Sequence, residues 1–167
     1  PEKTKEKMKK ETTPTLSLFT SEEIPDNALI RISEEGKIYW RKQQTISDIP
    51  IVNKNTDLIV YQQNISKKQE QIIVFFSSGK AYPLSIKDIP AYPTKETIER
   101  LVSNSAMQNS ALPINYLCLD ESPKIDSLIL LTEGGYLKRI NISELDGLGN
   151  RGFQLIKLKP QDSLGYI

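Results

Sequence analysis

The chain contains no histidine. That removes the commonest general base near neutral pH and the commonest zinc ligand. It contains one cysteine, Cys118, so no internal disulfide can form, and a transition-metal site is disfavoured. Cys118 lies in the apolar run Tyr116-Leu117-Cys118-Leu119 and reads as a small buried hydrophobe, because a nucleophilic thiol would want a base beside it. One cysteine fits a reducing, cytoplasmic setting. No run of 18 apolar residues occurs, so no membrane span is expected. The first residues are polar and charged, without the apolar centre of a secretory signal. A sustained 3.6-residue apolar period is also missing, which argues against a helical solenoid.

Charge is nearly balanced: 22 basic and 21 acidic residues in 167 give a net +1. The balance is uneven along the chain. Residues 1–13 carry five lysines (Lys3, Lys5, Lys7, Lys9, Lys10) against three glutamates, which leaves a net −1 for everything after them. With almost nothing apolar, residues 1–13 read as a disordered arm. A nucleic-acid role for the remainder has to come from a local basic patch, not from bulk charge.

What the chain does have is a phrase used three times. An apolar run leads into a glycine turn at Ser33-Glu34-Glu35-Gly36-Lys37, again at Ser77-Ser78-Gly79-Lys80, and again at Thr132-Glu133-Gly134-Gly135. The runs before them are Ala28-Leu29-Ile30-Arg31-Ile32, Ile72-Ile73-Val74-Phe75-Phe76 and Leu128-Ile129-Leu130-Leu131. Similar tails follow: Ile46-Ser47-Asp48-Ile49, Ile86-Lys87-Asp88-Ile89 and Ile142-Ser143-Glu144-Leu145. Strand, tight glycine turn, strand is a β-hairpin, and glycine supplies the positive φ such turns need. Gly36 and Gly79 are 43 residues apart, and Gly79 and Gly135 are 56 apart. A period of roughly 40–50 residues with about four strands is the size of a propeller blade.

The expected hairpins therefore span about 28–42, 71–86 and 127–141. Further strands are expected at 16–19, 58–61, 114–119, 153–158 and 164–167, with a polar turn at 64–69 and one or two helical turns at 95–102. Gly147-Leu148-Gly149-Asn150-Arg151-Gly152 lacks the Gly-Lys-Ser/Thr ending of a phosphate loop and has no helix after it, so it reads as backbone turning.

These residues resemble the C-terminal domain of the A-type subunit of bacterial type IIA topoisomerases, gyrase and topoisomerase IV. Leu130 to Arg139 is similar to that family's Thr-x-x-Gly-Tyr-x-Lys-Arg blade phrase, and Gly149 to Leu164 to its following strand. Pro113-Ile114-Asn115-Tyr116-Leu117 and Glu22-Glu23-Ile24-Pro25-Asp26 resemble phrases that lead into its blades. The resemblance covers about residues 16–167. It implies an all-β, propeller-like β-pinwheel of about three four-stranded blades, near 16–62, 63–120 and 121–167, with strand exchange between neighbours. Three blades do not close a ring, so the array is expected to be open, a fragment, or completed by a second copy through exposed edges. The gyrase basic box is absent: Gln43-Gln44-Thr45 follows Arg41-Lys42.

By this resemblance the chain is a non-catalytic domain of an ATP-dependent enzyme, and it binds and bends duplex DNA. Its partners are duplex DNA, the remainder of the A-type subunit, and the B-type subunit, with a homodimer through open blade edges as a further expectation. It needs no cofactor or metal and works in the cytoplasm at the nucleoid. Phosphate contact calls for cations on the blade rim. The candidates are Lys37, Arg41, Lys42, Lys80, Lys87, Lys138, Arg139, Arg151, Lys157 and Lys159. Arg41-Lys42 and Lys138-Arg139 read as equivalent repeat positions, as do Tyr39, Tyr82 and Tyr136. The tyrosines are expected to pack at blade junctions more than to stack on bases. Asp120-Glu121 and Asp126 have no supporting partner for catalysis. The rival reading, suited to the slightly negative folded part, is a protein-interaction module without DNA affinity.

Overall fold

Three glycine turns organise the computed structural model, which describes residues 23–42, 58–66, 68–91, 98, 102, 111–119, 125–149 and 151–167. Strand β1 (Ala28–Ser33) turns at Gly36 into β2 (Ile38–Lys42), and β3 (Ile59–Ile65) returns along the other side of β1. The second unit repeats this with β4 (Gln71–Phe76), β5 (Lys80–Ser85) and β6 (Pro113–Cys118). The third repeats it with β7 (Ser127–Thr132) and β8 (Leu137–Asn141). The short β9 (Phe153–Gln154) follows, and then the return strand β10 (Leu164–Tyr166). All pairing is antiparallel, in three sheets ordered β2-β1-β3, β6-β4-β5-β9 and β10-β7-β8.

The same local chemistry builds each unit. Gly36, Gly79 and Gly135 have φ of 74°, 75° and 82°, a region open to glycine at little steric cost. Each donates its N–H to the carbonyl three residues back, at Ser33, Phe76 and Thr132. The residue after that carbonyl then ties down the return strand: Glu34, Ser77 and Glu133 donate to the carbonyls of Leu58, Leu112 and Ser163 at 2.7, 2.8 and 2.8 Å. At the far end of the second and third hairpins, Ile86 N–H bonds Glu70 and Ile142 N–H bonds Asp126, both at 2.9 Å.

The sheets stack face on face, and strand alternation decides which residues meet. One face of the first sheet (Ala28, Ile30, Ile32, Ile38, Trp40) packs against one face of the second (Ile72, Val74, Phe76, Tyr82, Leu84). Phe76 and Tyr82 meet edge to face with centroids 5.5 Å apart. The opposite face of the second sheet (Ile73, Phe75, Ala81) packs against Leu130, Ile140, Ile142, Leu155 and Leu164 of the third unit. Burying each such aliphatic is worth about 1.5–3 kcal/mol, so these two junctions hold the stack together.

The strand after the third hairpin belongs to its neighbour. β9 pairs with β5 of the second sheet, and Leu155 N–H bonds the Gly79 carbonyl at 2.9 Å. The first sheet is clasped the same way: Ile98 N–H bonds the Gly36 carbonyl and Trp40 N–H bonds the Pro90 carbonyl, both at 2.9 Å. Only the second sheet shows four strands among the described residues. Two sequence boundaries move. β3 continues to Ile65, through the first two residues of the turn expected at 64–69, and the strand expected at 153–158 keeps regular pairing only at Phe153–Gln154. The arm 1–13, the strand at 16–19 and most of 95–102 lie outside the described residues. Cys118 is half-buried against the first core, its Sγ 3.9 Å from the Gln71 carbonyl.

Candidate nucleic-acid interface

Measured from the turn glycine, the three units share one register, and it reassigns several positions. Tyr39, Tyr82 and Lys138 are equivalent, as are Arg41, Leu84 and Ile140. Tyr136 sits in the turn, at the position of Lys37 and Lys80, and is half-exposed. Tyr39 and Tyr82, by contrast, are buried. The equivalence of Tyr136 with the other two tyrosines therefore fails, and so does that of Lys138-Arg139 with Arg41-Lys42. The two phrases are offset by two residues, a shift that leaves side chains on the same face and so escapes a pattern check.

The ten candidate cations stand at both ends of the hairpins. The turns lie at one end of the stack: the cleft of about 420 Å³ beside Gly36 is walled by Leu112 and Asn115 of the second unit. Leu164 N–H, in turn, reaches the Ser77 carbonyl at 2.8 Å. Lys37 and Lys80 stand at this turn end, Lys37 paired with Glu35. The segment after β9 runs over the second turn, with Gln154 Nε2 donating to the carbonyls of Gly79 and Ile156 at 3.2 and 2.6 Å. It carries exposed Lys157 and Lys159 toward the third turn. There Lys159 Nζ sits 4.2 Å from the Tyr136 ring centroid and bonds its hydroxyl.

Arg41 and Lys42 stand at the opposite, open end, across from Leu29 and Ala28. Lys87 lies there too, in the turn after β5. Arg139 occupies the open half of β8, where its Nε donates to Ser127 Oγ at 3.0 Å. Arg151 precedes Gly152, which lies over the Tyr82 ring. Lys138 replaces a buried tyrosine and donates to the Leu155 carbonyl at 2.6 Å, which ties it to the blade junction. The side chains of Lys42, Lys80, Lys87, Arg151 and Lys157 have no hydrogen bond or ion pair among the described residues.

The turn end also holds one well-anchored acid. Burial pushes Asp162 up, but N–H groups of Gly134 and Ser163 (each 2.8 Å), the Thr132 hydroxyl and the Lys159 charge outweigh it and hold the carboxyl below its usual range. Asp162 is thus a turn clasp, not a proton donor.

One basic residue is hidden in the sequence. Arg31 lies inside an apolar run, but its strand alternation puts it with Leu29, Tyr39 and Arg41 on the face of the first sheet that faces away from the second. Its Nε donates to Gln62 Oε1 at 3.1 Å, and the Arg41 guanidinium lies 5.6 Å from the Tyr39 ring centroid. The register comparison is the signal that finds it: the residues equivalent to Arg31 are Val74 and Leu130, both fully buried.

No described helix is long and apolar enough to cross a membrane. No group of three or more metal-ligating side chains occurs among the described residues.

No family model matches the chain. It is 29% identical over 152 residues to the A-type subunit of DNA topoisomerase 4 from Synechocystis sp., a match covering 90% of this chain and 16% of that protein. Solved structures share its fold. The crystal structure of the C-terminal domain of DNA topoisomerase IV superposes with a TM-score of 0.66 at 12% identity, over 84% of this chain and 45% of that one. The E. coli ParC C-terminal domain gives 0.61 at 16% identity, over 83% and 54%. The DNA gyrase A C-terminal domain gives 0.51 at 17% identity, over 83% and 49%. The chain thus spans about half the length of those domains. Fold and sequence together mark it as similar to the C-terminal β-pinwheel domain of the A-type subunit of type IIA topoisomerases, the family that its third hairpin already resembles.

Proposed function

We propose that this domain binds duplex DNA as a non-catalytic accessory of a type IIA topoisomerase. It would present a bent segment to a cleavage core carried elsewhere in the A-type subunit, with its B-type partner. It would do so at the nucleoid, in the cytoplasm. The observation that carries the reading is the match to the A-type subunit of a topoisomerase 4 over 90% of the chain. The cations add support: Lys80 pairs with Gln154 of the segment that then carries Lys157 and Lys159 along the turn end, where the second and third units meet. Such contacts would be to phosphates, would tolerate any sequence, and would weaken steeply with salt. DNA deformability would set any preference among sites.

The test is a titration of the chain with a fluorescent duplex at about 50 and 200 mM salt. Affinity that collapses between the two, and a lower affinity for the Lys80→Gln, Lys157→Gln, Lys159→Gln variant, is the expected result. No binding at the lower salt would remove the proposal. It would favour the second reading, a protein-interaction module, for which the exposed Ile129, Leu137 and Tyr166 on the third sheet speak.

A further inference from the structure

In a stack of equivalent sheets, the outward face of the first should look like the faces buried inside. It does not. At the positions where the second and third sheets bury Val74 and Leu130, the first has Arg31; where they bury Leu84 and Ile140, it has Arg41. Tyr39 lies between the two arginines, directly across from Arg31 and two residues before Arg41 on the same strand. Gln62 and Asn64 of β3 complete the row, paired with Arg31 and Leu29. The described strand positions on this face include no carboxylate, and neither arginine has an ion pair among the described residues.

We propose that this arginine face of the first sheet is a second phosphate-binding surface, engaging the backbone of the duplex independently of the turn-end lysines. The proposal rests on the DNA-binding reading above and adds a site to it. A guanidinium offers five donors in a planar fork, and Gln62 occupies only the Nε of Arg31. The Arg41 guanidinium lies over the Tyr39 ring at 5.6 Å from its centroid, a contact that restrains it and lowers the entropy lost when it grips an anion. Arg31 and Arg41 are diagonal partners across β1 and β2, and such partners are roughly 7–8 Å apart, close enough for both side chains to reach one stretch of DNA backbone. The two arginines can therefore act together on one DNA strand. The competing account is that a terminal repeat only needs a polar outer face to stay soluble. That account asks for polarity alone; the surface proposed here depends on positive charge and on the fork.

The experiment compares three proteins on one fluorescent duplex across a salt series: the wild-type chain, Arg31→Gln/Arg41→Gln, and Arg31→Lys/Arg41→Lys. The glutamine pair keeps the face polar. It should bind about tenfold more weakly and lose about 2 from the slope of log affinity against log salt. The lysine pair should recover the slope but only part of the affinity. In a two-dimensional NMR spectrum of the wild-type chain, the Arg31 and Arg41 side-chain N–H signals should shift on adding duplex, a readout that does not depend on any variant folding. Wild-type binding with an unchanged glutamine pair and unmoved arginine signals would overturn this surface and leave the lysine site standing. Failure of the wild-type chain to bind at low salt would overturn the DNA reading and this surface with it.

Discussion

A Cβ placed on Gly152 would stand 2.3 Å from the Cε1 atom of Tyr82, so the loop after the third hairpin lies flat on a buried ring of the second sheet. The glycine also has φ of +70°, which an L side chain rarely adopts. The close approach comes from the way the third unit clasps its neighbour, and the positive φ goes with a local turn in which Gly152 N–H bonds the Gly149 carbonyl at 3.0 Å. Gly152→Ala should cost about 2–4 kcal/mol, from overpacking plus a strained backbone. Gly147→Ala shares the positive φ but meets nothing within 4 Å, and should cost only the backbone share, about 1–2 kcal/mol. Chemical denaturation of both variants isolates the close approach; equal losses would contradict it.

Two residues at one repeat position should respond in opposite ways. Ile73 is fully buried between the second and third sheets, while its equivalent Ile129 is 46% exposed on the outer face of the third. Ile73→Ala should lose about 2–5 kcal/mol. Ile129→Ala should lose less than about 1 kcal/mol. Unfolding midpoints in urea measure both.

Asp162 makes the third turn sensitive to acid. Its folded pKa lies below the unfolded value of about 3.9, so its contribution is complete above that value and disappears as pH falls through the lower folded one. Thermal melts of the wild type and Asp162→Asn should therefore differ by a constant amount near neutrality. The two curves should converge only in strong acid. Convergence already at pH above about 5 would mean that the clasp does not hold the ionised form.

Alkali should report on the junction between the first two sheets. Burial, followed by the negative charge of a Cys118 thiolate, pushes Tyr61 up to about 12. Its ring lies 5.2 Å from that of Tyr116. Because the neutral form is the one the fold favours, its stabilisation is present below about 10 and is lost as pH climbs toward 12. Tyrosinate absorbance should show a late step that is absent from Tyr61→Phe.

The three hairpins were legible because their information is local. Apolar alternation and a glycine at each turn fix strand, turn and strand within about fifteen residues, and the structure reproduces all three. The exact repeat register was not legible. Tyr136-Leu137-Lys138-Arg139 looks like Tyr39-Trp40-Arg41-Lys42, and Gly134-Gly135 offers two turn glycines to count from; the Gly135 bond to Thr132, matching that of Gly36 to Ser33, fixes the offset at two residues. The site suffered most from this. Lys138 reads as a rim cation, and the sequence does not show its bond to the Leu155 carbonyl, while Arg31 is hidden among aliphatics.

By itself the sequence determined that this chain builds successive glycine-turned β-hairpins and carries no histidine chemistry, because turn conformation and side-chain inventory depend on neighbours along the chain. Tertiary structure alone decided which sheet receives β9, which faces become junctions, and which cations gather at the turn end. Those outcomes depend on contacts between residues tens of positions apart, such as Gln154 with Lys80, whose pairing is set by how the sheets stack.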